Sequence, residues 1–129
     1  MALPRENVTI LLIEDDPSLG LAMVRYLQSI GYSPVHCASG AAAMEAVRDI
    51  QPDAVITDIH LPDINGLVLS QKLRDKLGAS VPIIVLSGDT STEVLKSLSH
   101  VGATYFFNKP VNWEQLKQHL AEQLASPAE

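Results

Sequence analysis

The sequence predicts an α/β fold, a doubly wound parallel sheet of five strands with helices on both faces. Three observations carry this. Five short apolar runs alternate with five longer amphipathic runs along 129 residues. Turn formers and helix caps separate the runs. The first run is apolar at almost every position, the pattern of a strand buried on both faces. Regular alternation calls for right-handed crossovers, and the chain holds too few units for a closed eight-stranded barrel.

Val8–Ile13 is the first strand. Asp16 and Pro17 then start a helix, Asp as N-cap and Pro at the first helical position. Leu19, Met23, Tyr26, Leu27 and Ile30 form its inward stripe, and Gly31 ends it. Residues 32–38 make a weaker second strand. Ser39 caps an Ala-rich second helix reaching about Ile50. Ala54–Thr57 is the third strand, ending at Asp58, and His60 to Gly66 is a surface loop dense in turn formers. Leu67–Leu77 is the third helix and Pro82–Leu86 the fourth strand. Thr90 and Glu93 form a capping box for a fourth helix, and Thr104–Asn108 is the fifth strand. Asn112 and Gln115 repeat the capping pattern before a fifth helix striped with Trp113, Leu116, Leu120 and Leu124. The chain reads as one domain with a core over about residues 8–124, and residues 126–129 as a frayed tail or the start of a linker.

Composition narrows the function. Hydrophobic residues make up 47% and charged residues 19%, a core-forming balance. The net charge of −6 disfavours nucleic acid or an anionic membrane as the main partner. The single cysteine, Cys37, forms no internal disulfide and excludes a multi-cysteine metal knuckle. No apolar run is long enough to span a bilayer and no signal peptide is seen, so a cytoplasmic location is expected.

The carboxylates are the informative residues. Glu14, Asp15 and Asp16 follow the first strand and Asp58 ends the third. In open doubly wound sheets, ligands bind beyond the carboxyl ends of the strands where strand order reverses. If the first and third strands are neighbours, these acids share one pocket, which then needs a cation or must bind protons. An all-oxygen donor set suits a hard ion such as Mg²⁺ better than zinc. Ser87 ends the fourth strand, and Lys109 follows the fifth, just before Pro110. A nucleophilic carboxylate, a hard-metal site, a hydroxyl and an ammonium are the parts that phosphoryl transfer uses.

In this order, Leu11-Leu12-Ile13-Glu14-Asp15-Asp16, Thr57-Asp58 with Leu61-Pro62-Asp63 and Asn65-Gly66, Leu86-Ser87-Gly88 and Asn108-Lys109-Pro110 resemble the receiver domain of two-component response regulators. The resemblance runs from about Val8 to Leu124 and implies a flavodoxin-like strand order of 2-1-3-4-5. It implies that Asp58 is the phosphoacceptor and that Asp15, Asp58 and the backbone carbonyl of His60 ligate Mg²⁺. Glu14 then holds water of the metal's shell, while Ser87 and Lys109 contact the phosphoryl oxygens. The Lys109-Pro110 bond is expected to be cis. The switch position, three residues before the lysine, is Phe106 in place of the frequent tyrosine, so no hydroxyl is available there to mark either state. The implied donor is a sensor histidine kinase or a histidine phosphotransfer domain. The implied output surface, for a homodimer or an output domain, combines the fourth helix, fifth strand and fifth helix. The implied role is signalling, with catalysis limited to the domain's own phosphorylation and dephosphorylation.

Blander roles and other functions compete with these. Asp16 reads as an N-cap and not a ligand. Asp63, Asn65 and Gly66 read as turn chemistry, and Cys37 as a small apolar residue. The side chain of His60 reads as a pocket-rim group that modulates water access. His36, His100 and His119 lie on different elements and suggest no phosphotransfer histidine. A haloacid-dehalogenase-like phosphatase needs a second Asp two residues after the nucleophile, where this chain has His60. A pseudo-receiver that binds partners without phosphorylation usually lacks one of Glu14, Asp15, Asp58, Ser87 or Lys109. A flavin-binding domain would want a phosphate-cradling loop after the first strand. Direct DNA binding finds no basic recognition helix.

Overall fold

The computed structural model describes residues 8–88 and 105–124. Its elements run β1 (Thr9–Ile13), α1 (Pro17–Ser29), β2 (Ser33–Cys37), α2 (Gly40–Ala46), β3 (Ala54–Asp58), α3 (Gly66–Leu77), β4 (Ile83–Ser87), β5 (Tyr105–Asn108) and α4 (Trp113–Gln123). Here α4 is the fifth helix of the sequence pattern. The run from Thr90, with Glu93, and the residue Thr104 lie outside the described residues. The five strands form one parallel sheet in the order β2-β1-β3-β4-β5, as expected.

Strand alternation divides the core into two layers. Ile10 and Leu12 of β1 join Ala54, Ile56, Ile84 and Leu86 against Met23 and Leu27 of α1 and Leu116 and Leu120 of α4. Leu11 and Ile13 point the other way, joining Val55 and Ile83 against Ala43 of α2 and Leu69, Leu73 and Leu77 of α3. This explains why β1 carries no polar alternation: both its faces are covered. Removing the apolar surface of each fully buried Leu, Ile, Val or Met side chain from water contributes about 1.5–3 kcal/mol.

The helix starts form as their caps require. Asp16 accepts from the N–H groups of Ser18 and Leu19 at 2.9 and 3.3 Å, Ser39 from Ala42 at 3.1 Å, and Asn112 from Gln115 at 3.0 Å. Gly31 follows α1 with φ of 100°, a conformation that favours glycine. The strands differ from the sequence pattern by a residue at several ends, and helices α2 and α3 differ as follows. Helix α2 stops at Ala46, short of Ile50, because the backbone tightens into i−3 bonds from Arg48 to Glu45 and from Asp49 to Ala46. Helix α3 begins one residue early, at Gly66. Tyr26 is half-buried, with its hydroxyl donating to the Trp113 carbonyl at 3.0 Å and its ring 4.9 Å from the indole. That contact ties α1 to α4.

Candidate functional site

Register creates the site. Ile13 pairs with Thr57 in the β1–β3 ladder, so the next residues, Glu14 and Asp58, emerge side by side at the carboxyl edge of the sheet. Strand order reverses between these strands, since the chain leaves β1 for edge strand β2 and returns across it to β3. Glu14 is 1% exposed and Asp58 3% exposed, whereas Asp15 is exposed. One carboxylate oxygen from each of the three lies within 4.8 Å of the others.

Lys109 faces this cluster from the end of β5. Its N–H donates to the Ser87 carbonyl at 2.8 Å, and its bond to Pro110 is cis. The ammonium Nζ stands 2.6 Å from Asp58 Oδ1 and 3.4 Å from Glu14 Oε1. Ser87 ends β4 and is 1% exposed. Because Asp58 pairs with Leu86, Ser87 lies one residue beyond Asp58's partner at the same sheet edge. Phe106 pairs with Val85 and is half-buried against Ile59, Leu67 and Val85, so the ring stands on the β4–β5 side of the pocket.

Two carboxylates this close repel by roughly 3–4 kcal/mol at an effective dielectric of about 20. Lys109 supplies a single compensating charge. Burial above all, then the hydrogen bond and charge of Glu14, push the Asp58 carboxyl up from 3.8 to about 7, against the pull of Lys109. Burial also opposes ionisation of Glu14. There it is outweighed by hydrogen bonds from Asp58 and the Asp16 N–H and by Lys109, which hold Glu14 below the usual range. For Lys109, burial is overcome by Asp58 and Glu14, and its ammonium is held above the usual lysine value. Near pH 7 the pair thus lies close to the midpoint of a shared titration, with the Asp58 carboxyl raised and the Glu14 carboxyl held low. The all-oxygen, excess-negative donor set fits a hard divalent cation, whose arrival would displace the proton.

The loop after β3 is built tightly against Asp58. A Cβ on Gly66 would collide with the Asp58 backbone carbonyl, and the Gly66 N–H donates to the Ile59 carbonyl at 2.6 Å. Asn65 caps α3, accepting from the Leu67 N–H at 2.7 Å. His60 bridges to Asn65 and is exposed.

Two contacts escaped the sequence reading. Asp63 is more than turn chemistry: its carboxylate accepts from the N–H groups of Gly40 and Ala41 at 2.9 and 2.8 Å, fastening the loop to the start of α2. The two N–H groups hold its carboxyl below the usual range. His36 Nε2 meets the backbone carbonyl of Glu14 at 2.7 Å. Neither carries a spacing signal, because each joins residues more than twenty positions apart.

Comparison with known proteins places this geometry in context. The sequence profile of the response regulator receiver domain matches residues 10–121. The chain is 32% identical over 132 aligned residues to the sensory/regulatory protein RpfC of Xanthomonas campestris, covering 95% of this chain and 18% of that protein. It is 34% identical over 111 residues to the transcriptional regulatory protein RprY of Bacteroides fragilis, covering 86% of this chain and 47% of that protein. It therefore spans less than half the length of these curated relatives. The chemotaxis response regulator CheY4 of Vibrio cholerae superposes with a TM-score of 0.83 at 27% identity, covering 91% of this chain and 98% of that one. The receiver domain of a Pseudomonas aeruginosa sensor histidine kinase, solved with magnesium coordinated in its active-site cleft, gives a TM-score of 0.83 at 26% identity over 93% and 99% of the two chains.

Proposed function

This chain belongs to the response regulator receiver family of two-component signal transduction, and on that premise we propose that Asp58 accepts a phosphoryl group in a Mg²⁺-dependent reaction. One observation carries the proposal: Lys109 Nζ lies 2.6 Å from a buried Asp58 whose carboxylate is grouped with those of Glu14 and Asp15. The donor is the phosphohistidine of a sensor kinase or phosphotransfer domain. An Asp58 carboxylate oxygen forms the new P–O bond as the donor's N–P bond breaks. The imidazole leaves with the bonding pair and takes a proton from solvent.

Positioning and electrostatics dominate such a transfer. Asp15, Asp58 and the His60 carbonyl would hold Mg²⁺, with Glu14 behind them. A cation held there would offset charge on the phosphoryl oxygens and favour the ionised form of Asp58. Lys109, already paired with Asp58, turns its ammonium to the incoming oxygens, and Ser87 donates a hydrogen bond to one of them. The His60 side chain regulates water access, and so the rate of hydrolysis.

The product carries close to two negative charges. Ser87 closes on it and Phe106 follows inward, biasing a pre-existing equilibrium on the surface of β5, α4 and the fourth helix expected from the sequence. That surface takes a second copy or an output domain. Among the described residues no helix is long and apolar enough to cross a membrane, and the proposed location is the cytoplasm.

Intact-mass measurement after incubation with Mg²⁺ and a small phosphodonor tests this. The expected result is a gain of one phosphoryl group in the native chain and none in Asp58→Asn. No gain, or an equal gain in both, overturns the assignment.

A further inference from the structure

We infer that His36 is a positioning residue for the acidic turn, pinning the Glu14–Asp15 peptide so that both carboxylates converge on Asp58; this rests on the metal-binding role proposed above. The ladder between β1 and β2 pairs Leu12 with His36 and Ile13 with Cys37, and the Glu14 N–H still donates to the Cys37 carbonyl at 3.0 Å. A continued parallel ladder would next offer the Ser39 N–H to the Glu14 carbonyl. Ser39 has instead left the strand to cap α2. The side chain of His36 replaces that rung: its Nε2–H donates to the Glu14 carbonyl at 2.7 Å.

A second observation shows that the ring's place is built. Gly20 lies inside α1, where glycine weakens a helix relative to alanine. A Cβ there would stand 2.6 Å from His36 Cε1 and 2.8 Å from Nε2, so the missing side chain is the space the imidazole occupies. The carbonyl that His36 holds belongs to the peptide joining Glu14 to Asp15. With the Asp16 N–H on Glu14 Oε2 at 3.0 Å, that bond fixes the turn at both ends.

The test is calorimetric titration with Mg²⁺ alone, with thermal melts, for the native chain, His36→Leu, His36→Gln, Gly20→Ala and the double variant Gly20→Ala/His36→Leu. Loss of one net hydrogen bond should weaken Mg²⁺ binding about fivefold in His36→Leu. Gly20→Ala should weaken it equally by displacing the ring, while its melting temperature stays level or rises. The double variant should bind no more weakly than either single one, and His36→Gln, whose amide N–H reaches the same carbonyl, should stay within about twofold of native. Native-like affinity in His36→Leu or Gly20→Ala, or multiplied losses in the double variant, overturns the inference. If His36→Leu does not fold, the Gly20→Ala affinity decides. Absence of Mg²⁺ uptake by the native chain removes the metal-binding role and this inference with it, an outcome distinct from uptake that is indifferent to His36.

Discussion

Asp58→Asn should make the metal-free fold more stable at pH 8 than the native chain, with the advantage shrinking as pH falls. The Asp58 carboxyl is pushed up to about 7 in the folded chain, from an ordinary value of 3.8, chiefly by burial and then by Glu14. Between these values the folded state holds a proton that the unfolded state has released. Stability supplied by this group is therefore present at low pH and is lost as pH rises toward 7. Above 7 the folded chain carries the anion at full cost. Asparagine has the same shape, needs no proton, and leaves a carbonyl oxygen to accept from Lys109 Nζ. Retaining a proton from pH 5.5 to about 7 spans one and a half pH units, about 2 kcal/mol. Relaxation of Glu14, which shares that proton, reduces the figure to about 1–2 kcal/mol. Urea unfolding of both chains in chelator at pH 5.5, 6.5 and 8 measures it, since titrations of groups that do not touch Asp58 cancel in the difference. A stability difference constant to about 0.5 kcal/mol across that range would refute the crowded-carboxylate account.

Other outcomes follow from the same geometry. Mg²⁺ affinity should fall by up to about tenfold per pH unit below pH 7, because the ion must expel the Asp58 proton; calorimetry at pH 6 and pH 8 would show this, and equal affinities would contradict it. Gly66→Ala should cost about 1–3 kcal/mol by driving the start of α3 away from the Asp58 carbonyl, an effect read from a circular-dichroism melt, and an unchanged melt would contradict the close approach. Tyr26→Phe should cost about 1 kcal/mol by leaving the Trp113 carbonyl without its hydroxyl partner, measurable through the fluorescence of that single tryptophan during denaturation.

Much of the architecture is a local property of the chain. Asp16-Pro17, Ser39 and Asn112 announce their helices because a capping oxygen acts on N–H groups only two or three residues away. The unbroken apolar run in β1 foretells burial on both faces, and the run of carboxylates after it foretells a cation site. Local rules fail at the end of α2, where two i−3 bonds close the helix before its apolar pattern ends.

Side-chain order along the chain foretold which chemistry the sheet edge would carry, because a strand's end delivers whatever residue comes next. Three-dimensional pairing settled how strongly those groups interact. Register sets Glu14 beside Asp58, and burial together with Glu14 then raises the Asp58 carboxyl to about 7. The imidazole of His36 and the carboxylate of Asp63 take their roles from elements more than twenty residues away. A hydrogen bond between distant segments depends on where the folded backbone brings them, and spacing along the chain holds no record of that.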